Sequence, residues 1–173
     1  MSNIRDFVSS FKKDIARPSR FDVFINLPPA IRFQEFNAAS LLYRCENAQL
    51  PGRTIGTVDQ KTYGPIEKFP YLTTFTDLDL TFIVDDDMSQ KTFFDNWLDY
   101  INPLNTNDYQ YKENYSADIR INQYSVNNQL TYSVNILDAY PISVNQLDLD
   151  WGSDGYHKLS VTFAYTRWER NWL

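Results

Sequence analysis

Apolar and polar residues alternate along most of this chain, and the alternation predicts strands. The clearest example is the run 77–84, in which Leu78, Leu80 and Phe82 share one face of an extended chain while Asp77 and Asp79 share the other. A period of two is typical of a strand with one buried face. The same pattern predicts further strands at about 20–27, 41–49, 54–63, 118–124 and 130–136.

Turn residues join several of these runs into hairpins. Asn127 and Asn128 separate the strands at 118–124 and 130–136, and a turn of this composition favours a tight connection. The run 54–63, closed by Gly64-Pro65, is either a third strand or the return leg of a long protruding hairpin. A last hairpin is predicted at 146–168 around the turn Ser153-Asp154-Gly155, and its apolar face comprises Leu147, Leu149, Trp151, Leu159, Val161, Phe163 and Tyr165.

The period changes to that of a helix in two places. Across 88–101 the apolar residues fall on one helical stripe, with Asp87 as the candidate N-cap and Asn102-Pro103 as the end. A shorter stripe over 4–15 predicts an amphipathic helix or an adaptable arm that ends before Pro18. One main helix among seven or eight strands predicts a mainly β fold: two packed antiparallel sheets in a sandwich or barrel-like arrangement, with one flanking α-helix and a long protruding hairpin.

Length and composition predict the number of domains, and the N-terminal segment predicts the compartment. The 173 residues are 43% hydrophobic and no linker divides them, so we expect a single domain over 1–173, with an N-terminal arm at 1–18 and a C-terminal extension at 169–173. Lys and Arg number 16 against 22 Asp and Glu, a net charge of -6 that argues against DNA binding, because cations dominate such affinity. No apolar run approaches the roughly 20 residues that span a bilayer. The charged N-terminal segment is unlike a signal peptide, so we expect a protein made and kept in a cytoplasm.

Candidate catalytic and metal-binding residues are few. The single histidine, His157, follows a predicted turn and accompanies no nucleophile motif. The acidic run 85–87 is placed to cap the helix, and the acidic residues of 148–154 lack the closing ligands of a calcium loop. The lone Cys45 cannot form an internal disulfide and is expected to pack as a small apolar residue. We therefore predict no catalytic residue, no metal site and no cofactor.

Three short motifs resemble one family, in the same order along the chain. They are Ala16-Arg17-Pro18-Ser19-Arg20-Phe21-Asp22-Val23, Cys45-Glu46-Asn47-Ala48-Gln49-Leu50-Pro51, and Ala139-Tyr140-Pro141 followed by the Leu147–Trp151 core, with Ile66-Glu67-Lys68-Phe69-Pro70 as a weaker echo. On these residues the chain resembles the tail tube proteins of contractile-tailed (myovirus, T4-like) bacteriophages. It departs from their pattern around Ile31 to Leu41 and after Trp168, where it is longer.

The resemblance implies a structural subunit with the tail tube fold and no enzymatic activity. Six copies would join edge to edge into a ring, and rings would stack into a tube whose central channel passes DNA during ejection without binding it specifically. The implied partners are further copies of the chain, the tail sheath protein, the baseplate tube-initiator and tail terminator proteins, and a tape measure protein inside the channel. The implied location is the virion tail, assembled in the host cytoplasm.

Two sets of site residues follow from the resemblance. The N-terminal arm and the long hairpin are expected to reach the next ring, and the channel is expected to have an acidic and neutral-polar lining that repels DNA. The predicted ring-stacking and subunit-interface residues are Phe7, Phe11, Arg17, Leu50, Pro51, Arg53, Tyr63 and Phe69. The predicted channel-lining residues are Arg44, Glu46, Thr131, Ser133 and Asn135.

Other functions stay open at this point. The chain could be a baseplate tube-initiator, which forms a single ring, or the tube subunit of a type VI secretion system or another injection machine. The alternative of a different class is a monomeric β-sandwich module that binds carbohydrate through exposed tyrosines. The size of the purified protein distinguishes this last alternative from the others.

Overall fold

The computed structural model describes residues 4, 7, 15–31, 39–61, 63–152 and 154–171. None of the helices in this part of the chain is long and apolar enough to cross a membrane. The described helices are α1 (Ala39–Arg44), α2 (Ser89–Ile101) and α3 (Lys112–Tyr115), and a 3-10 turn covers Pro29–Ile31. The described strands are β1 (Phe21–Asn26), β2 (Cys45–Ala48), β3 (Arg53–Gln60), β4 (Glu67–Phe75), β5 (Leu78–Ile83), β6 (Ala117–Tyr124), β7 (Leu130–Val144), β8 (Lys158–Ala164) and β9 (Arg167–Arg170).

Seven of the described strands form one antiparallel sheet, in the order β1-β6-β7-β8-β5-β2, with β9 paired to β7. Strand β7 is 15 residues long and serves two parts of the sheet. Up to Ala139 it pairs with β6 and β9, whereas Tyr140–Val144 pairs with β8. A bulge separates these parts, and there Asp138 has a φ of 55°. We call β1, β6, β9 and the first part of β7 half-sheet A, and β2, β5, β8 and the end of β7 half-sheet B.

Both half-sheets contribute their apolar faces to one core. Ile119 and Ile136 of half-sheet A are fully buried, as are Phe82 and Phe163 of half-sheet B. Helix α2 packs on half-sheet B, where the Phe94 ring lies 5.3 Å from the Phe82 ring and 6.1 Å from the Phe163 ring. The predicted mainly β fold with a flanking helix is confirmed. The sheet does not close into a barrel, because no strand pairing joins β1 to β2 among the described residues.

Strands β3 and β4 form a separate two-stranded sheet. At the root of this hairpin the Nε1–H of Trp168 donates to the carbonyl oxygen of Gly52 at 3.3 Å. The Phe75 ring packs at the same root, 6.0 Å from the Tyr165 ring. The predicted long hairpin is thus confirmed, but the run 54–63 is its first leg and not its return leg. The return leg is β4, which alternation did not reveal because Pro70 interrupts its pattern.

The predicted strand at 41–49 is wrong over its first half. Residues up to Arg44 belong to helix α1, and only Cys45–Ala48 is extended. Alternation of Leu41, Tyr43 and Cys45 suggests a strand, but the run 38–44 is rich in alanine, leucine and arginine, which favour a helix. A single helical segment there suffices to bury Leu41 completely.

The first leg of the predicted last hairpin is also wrong. Strand β8 forms as expected, but it pairs with β5 and the end of β7, and the described residues of 145–157 form an irregular loop. Leu149 and Trp151 are exposed instead of sharing a buried face. Asp150 Oδ1 accepts the backbone N–H of Gly152 at 3.0 Å, a local turn that competes with strand pairing.

The remaining predicted elements agree with the structure, apart from one cap. The strands at 20–27, 78–84, 118–124 and 130–136 and the helix at 88–101 are confirmed within one or two residues, although β7 runs on to Val144. Met88, and not Asp87, occupies the N-cap position of α2; Asp87 Oδ1 accepts the N–H of Ser89 at 3.1 Å. Most of the amphipathic stretch 4–15, including Phe11, lies outside the described residues.

Candidate assembly surfaces

One face of the β3–β4 hairpin contains three exposed apolar side chains. Val58 pairs with Phe69, and Gly56 pairs with Leu72. Cross-strand partners point to the same side of a sheet, so these side chains are neighbours. Val58, Phe69 and Leu72 are 52%, 43% and 54% exposed. We call these three residues the hairpin patch; a contiguous apolar patch in water is typical of a protein–protein contact.

Five of the eight predicted interface residues belong to this hairpin or its root. Leu50 and Tyr63 are large and exposed, as is Phe69 of the hairpin patch. Gly64 follows Tyr63 with a φ of 126°, which glycine adopts without strain, and the chain reverses there. These predicted residues therefore lie on or beside one exposed hairpin, and their role in an interface stays a prediction. The five residues are Leu50, Pro51, Arg53, Tyr63 and Phe69.

The other predicted interface residues belong to the N-terminal segment. Phe7 and Arg17 are exposed, and the carbonyl oxygen of Arg17 accepts the side-chain amide of Gln123 at 2.7 Å. This bond holds the entry to β1 against the end of β6. Phe11 lies outside the described residues.

The loop 145–157 is an exposed surface that sequence reasoning missed. Leu149, Trp151 and Tyr156 are 86%, 107% and 60% exposed, and we call these three residues the loop patch. Three aspartates and no lysine or arginine accompany them in the loop. The clustering of aspartate and glycine here was the available signal, because such residues favour turns over strands.

The hairpin and this loop leave half-sheet B at opposite ends. The hairpin enters β5 at Leu78, which pairs with Phe163. The loop enters β8 at Lys158, which pairs with Ile83 at the other end of β5. At about 3.4 Å per residue, β5 separates these two ends by about 17 Å.

Short polar side chains cover the outward face of half-sheet B. Thr81 Oγ1 and Ser160 Oγ lie 3.2 Å apart, and Thr162 Oγ1 donates to Asp79 Oδ1 at 2.7 Å. These groups hydrogen-bond to one another across β5 and β8. The face therefore presents hydroxyl and carboxylate groups without aromatic side chains on these two strands.

An ion pair joins β2 to β8 on the same face. Lys158 Nζ donates to Glu46 Oε1 at 2.7 Å, and the Tyr156 hydroxyl donates to the same oxygen at 3.2 Å. The hydrogen bond from Lys158 lowers the pKa of Glu46, and the Glu46 carboxylate raises the pKa of Lys158. Both groups therefore stay charged near neutral pH. Glu46, one of the predicted lining residues, lies on this outward face.

The outward face of half-sheet A carries three more of the predicted lining residues. Ser133 is buried, and its Oγ donates to Asn122 Oδ1 at 2.7 Å. Asn135 is half-buried, and its Oδ1 accepts Arg120 Nε at 2.9 Å. Thr131 is exposed. Only Thr131 of the three is therefore exposed in the protomer.

Arg44, the last of these predicted residues, ends helix α1. Its Nη2 lies 2.7 Å from Asp85 Oδ1, and Gln90 Nε2 donates to Asp85 Oδ2 at 2.7 Å. The backbone N–H of Asp85 donates to Gln90 Oε1 at 2.9 Å. The Asp85 carboxylate thus links the end of α1 to the first turn of α2.

Groups with the chemistry of catalysis or metal binding are sparse in the described part of the chain. There, no three His, Cys, Asp or Glu side chains are grouped so that they could hold a metal ion. Burial raises the pKa of the Cys45 thiol to about 12, so the nucleophilic thiolate does not form at neutral pH. Cys45 packs against the core, as the sequence predicts. The half-buried His157 lies in the loop 145–157.

Solved structures of similar fold come from contractile injection systems. A chain of the six-fold symmetrised baseplate of the anti-feeding prophage is 16% identical with a TM-score of 0.66, over 92% of this chain and 97% of that one. A chain of the sheath–tube complex of an extracellular contractile injection system, PVC, is 16% identical with a TM-score of 0.64, over 95% and 97%. At this identity the likeness shows a shared fold.

The sequence itself matches a family model. No curated protein matches the chain. The model described as phage tail tube protein, however, matches residues 16–171, which include the hairpin, both half-sheets and the loop. The chain therefore belongs to the phage tail tube protein family.

Proposed function

We propose that six copies of this tail tube subunit form a ring, and that the rings stack into a hollow tube through which DNA leaves the virion. The observation that carries the proposal is the protruding hairpin with its apolar face in water. A two-stranded hairpin is marginally stable alone, so this one gains most from packing on another copy. Heterologous contacts of this kind generate rings and filaments.

The edges of the large sheet support joining within a ring. Strands β1 and β2 end the strand order, and each pairs on one side only among the described strands. An unpaired strand edge is a template for pairing with another chain. Six-fold symmetry in the baseplate that contains a chain of this fold supports a ring of six.

The outward face of half-sheet B is the proposed channel wall. A DNA conduit should present neither uncompensated cations nor flat aromatic surfaces, because these bind phosphates and bases. The one lysine on the described β8 surface, Lys158, is neutralised by Glu46. Half-sheet A instead exposes Phe24, and its Arg120 hydrogen-bonds a neutral amide. Glu46 thus keeps its predicted role, whereas Thr131 and Asn135 are assigned to the opposite surface.

Lysine substitutions on the two faces test this assignment. Thr162→Lys with Ser160→Lys adds cations to the proposed wall and should slow DNA ejection from virions, because phosphates pause at added cations. Thr131→Lys with Asn135→Lys is the matched control on half-sheet A and should leave the ejection rate unchanged. Slower ejection from the control alone would assign the channel to half-sheet A.

The remaining partners follow from the function of a tail tube. We propose that the outside of the tube contacts the tail sheath protein, that a baseplate initiator and a tail terminator bound its two ends, and that a tape measure protein occupies the channel before DNA. Assembly in the host cytoplasm and location in the virion tail complete the proposal. A chain of similar fold in a sheath–tube complex supports the sheath contact.

Electron microscopy of the purified protein tests the main proposal. Rings and hollow rods are expected, alone or after nucleation by a baseplate. Leu72→Asp in the hairpin patch should leave rings and abolish rods, because a buried carboxylate opposes stacking. Leu104→Asp, at an exposed leucine outside the hairpin, is the control. A monodisperse monomer under all of these conditions would contradict the proposal and favour a monomeric binding module.

A baseplate initiator is the second candidate, since one chain of similar fold belongs to a baseplate. Such a protein forms one ring and stops. Single rings that never lengthen at rising concentration would favour the initiator, whereas rods of variable length favour the tube subunit.

A further inference from the structure

We propose that rings stack through one specific pair of surfaces: the hairpin patch of one copy packs on the loop patch of a copy in the next ring. The inference rests on the proposed tube function and adds a receptor to it. That receptor is formed by Leu149, Trp151 and Tyr156 of the loop 145–157. The occupant is a second copy of this chain.

Exposure marks both surfaces as incomplete in the protomer. Trp151 is 107% exposed and Leu149 is 86% exposed, so in the described protomer the two side chains bury almost no area. The hairpin patch offers aliphatic and aromatic side chains in Val58, Phe69 and Leu72, each about half exposed. Tryptophan and tyrosine are the side chains enriched at the energetic centres of interfaces. The two patches therefore match in chemistry.

Position decides that the partner is another copy. The hairpin extends from the Leu78 end of half-sheet B, and the loop lies at the Ile83 end. Both patches are exposed in the protomer, so the hairpin does not pack on the loop of its own chain. Two copies placed head to tail along the strand direction bring the hairpin of one to the loop of the other. A contact between unlike surfaces repeats without closing, as a growing stack requires.

Charge favours the same pairing. The loop 145–157 contains three aspartates and no lysine or arginine, a formal charge of -3 with His157 neutral. The hairpin segment 53–75 contains Arg53, Lys61 and Lys68 against Asp59 and Glu67, a formal charge of +1 (three minus two). The whole chain carries -6, so most pairs of surfaces on two copies repel each other. Complementary charge steers the hairpin to the loop.

Trp151→Ala tests the receptor directly. Its fully exposed ring supports no fold contact, so the thermal unfolding of the protomer should not change. Ring–ring association should weaken about thirtyfold, the fold-change for a hot-spot loss of about 2 kcal/mol, and electron microscopy should show rings in place of rods. Tyr111→Ala, at another largely exposed aromatic residue outside the loop, is the control and should form rods of wild-type length.

A cross-link between two variants, each with one cysteine in addition to Cys45, tests the pairing without altering either patch. Gln60→Cys lies beside Val58 on the patch side of the hairpin, and Asp148→Cys lies beside Leu149 in the loop. A short bis-maleimide should give a dimer in rods assembled from a mixture of the two variants. Rods made of either variant alone should give none, and the wild type reports any background from Cys45.

The outcomes separate this inference from the proposed function. If the wild-type chain forms neither rings nor rods, both the proposed tube function and the hairpin-to-loop pairing are contradicted. If the wild type forms rods and Trp151→Ala forms them equally well, or the mixture gives no cross-link, only the hairpin-to-loop pairing falls. If Trp151→Ala forms normal rods that no longer retain a sheath, the loop faces outward and the pairing is overturned.

Discussion

Ser133 is a residue whose face of the strand was predictable from the sequence but whose burial was not. Alternation places it correctly on the outward side of β7, but its Oγ donates to Asn122 at 2.7 Å and accepts Asn171 Nδ2 at 3.3 Å. The hydroxyl therefore links β6, β7 and the residue that follows β9. Sequence period reveals which face a residue is on, and it does not reveal what covers that face.

Ser133→Ala should lower the free energy of unfolding by about 1–3 kcal/mol, because a buried amide loses its partner. Denaturant unfolding measures the change. Thr131→Ala, two residues away on the same face but exposed, is the control and should change stability by no more than about 0.5 kcal/mol. Equal effects of the two substitutions would contradict this account of Ser133.

Tyr165 and Tyr124 form a contrasting pair of hydroxyls. The Tyr165 Oη is buried with no hydrogen-bond partner among the described atoms, whereas Tyr124 Oη donates to Asp22 Oδ2 at 2.6 Å. Tyr165→Phe should be neutral or stabilising by up to about 1 kcal/mol, and Tyr124→Phe should cost about 1.5–3 kcal/mol, since its acceptor is charged. Thermal unfolding of both variants distinguishes them, and a large loss at Tyr165 would reveal a partner not yet assigned.

Strands and helices were predictable from the sequence where only one of their faces is buried. Strand β5 and helix α2 have clean periods of two and 3.6, and the structure confirms them. Helix α1 and the loop 145–157 mimic strands, because a leucine at every second position has the same period whether or not a neighbouring strand exists to pair with it. Pairing partners are set by the tertiary fold, so the sequence predicted the long hairpin but not the exposed loop.

A hydrogen bond from Trp168 and the contact between the Phe75 and Tyr165 rings hold the root of the hairpin. Trp168→Phe removes the donor to Gly52 while keeping an aromatic ring, so hydrogen exchange in β3 and β4 should accelerate while the free energy of unfolding falls by less than about 1.5 kcal/mol. Trp97→Phe is the comparison in the core: its Nε1 donates to the Tyr115 carbonyl at 3.0 Å and its ring is fully buried, so exchange should change near α2 and α3 and the free energy of unfolding should fall further. Unchanged exchange in the hairpin would show that Trp168 does not orient it.

At the scale of the whole molecule, β7 joins the two half-sheets into one structure. The sequence shows this strand as two separate runs, at 130–136 and around Ala139 to Pro141, because the bulge at Asp138 breaks the alternation. The bent sheet was therefore beyond sequence reasoning, although its two apolar faces were predictable. Both half-sheets bury side chains in one core, so we expect a single cooperative unfolding transition.

Alkaline pH should destabilise the folded protomer. Burial raises the pKa of Tyr115 and Tyr165 above 10.0, and the hydrogen bond to Asp22 raises that of Tyr124. The folded state thus holds these protons more tightly than the unfolded chain, so this stability is present below pH 10 and is lost as the pH rises through the folded-state values. Denaturant unfolding on both sides of pH 10 measures the loss. Tyr124→Phe should reduce it, and Tyr111→Phe is the exposed control.

The hairpin and the loop at opposite ends of half-sheet B give the protomer a direction. An assembly whose copies all have one orientation has two chemically different termini. Unpaired hairpins are exposed at one terminus and unpaired loops at the other. A protein that starts such an assembly must recognise one terminus, and a protein that halts it must recognise the other. A soluble peptide that mimics the hairpin would then arrest growth at a single terminus only.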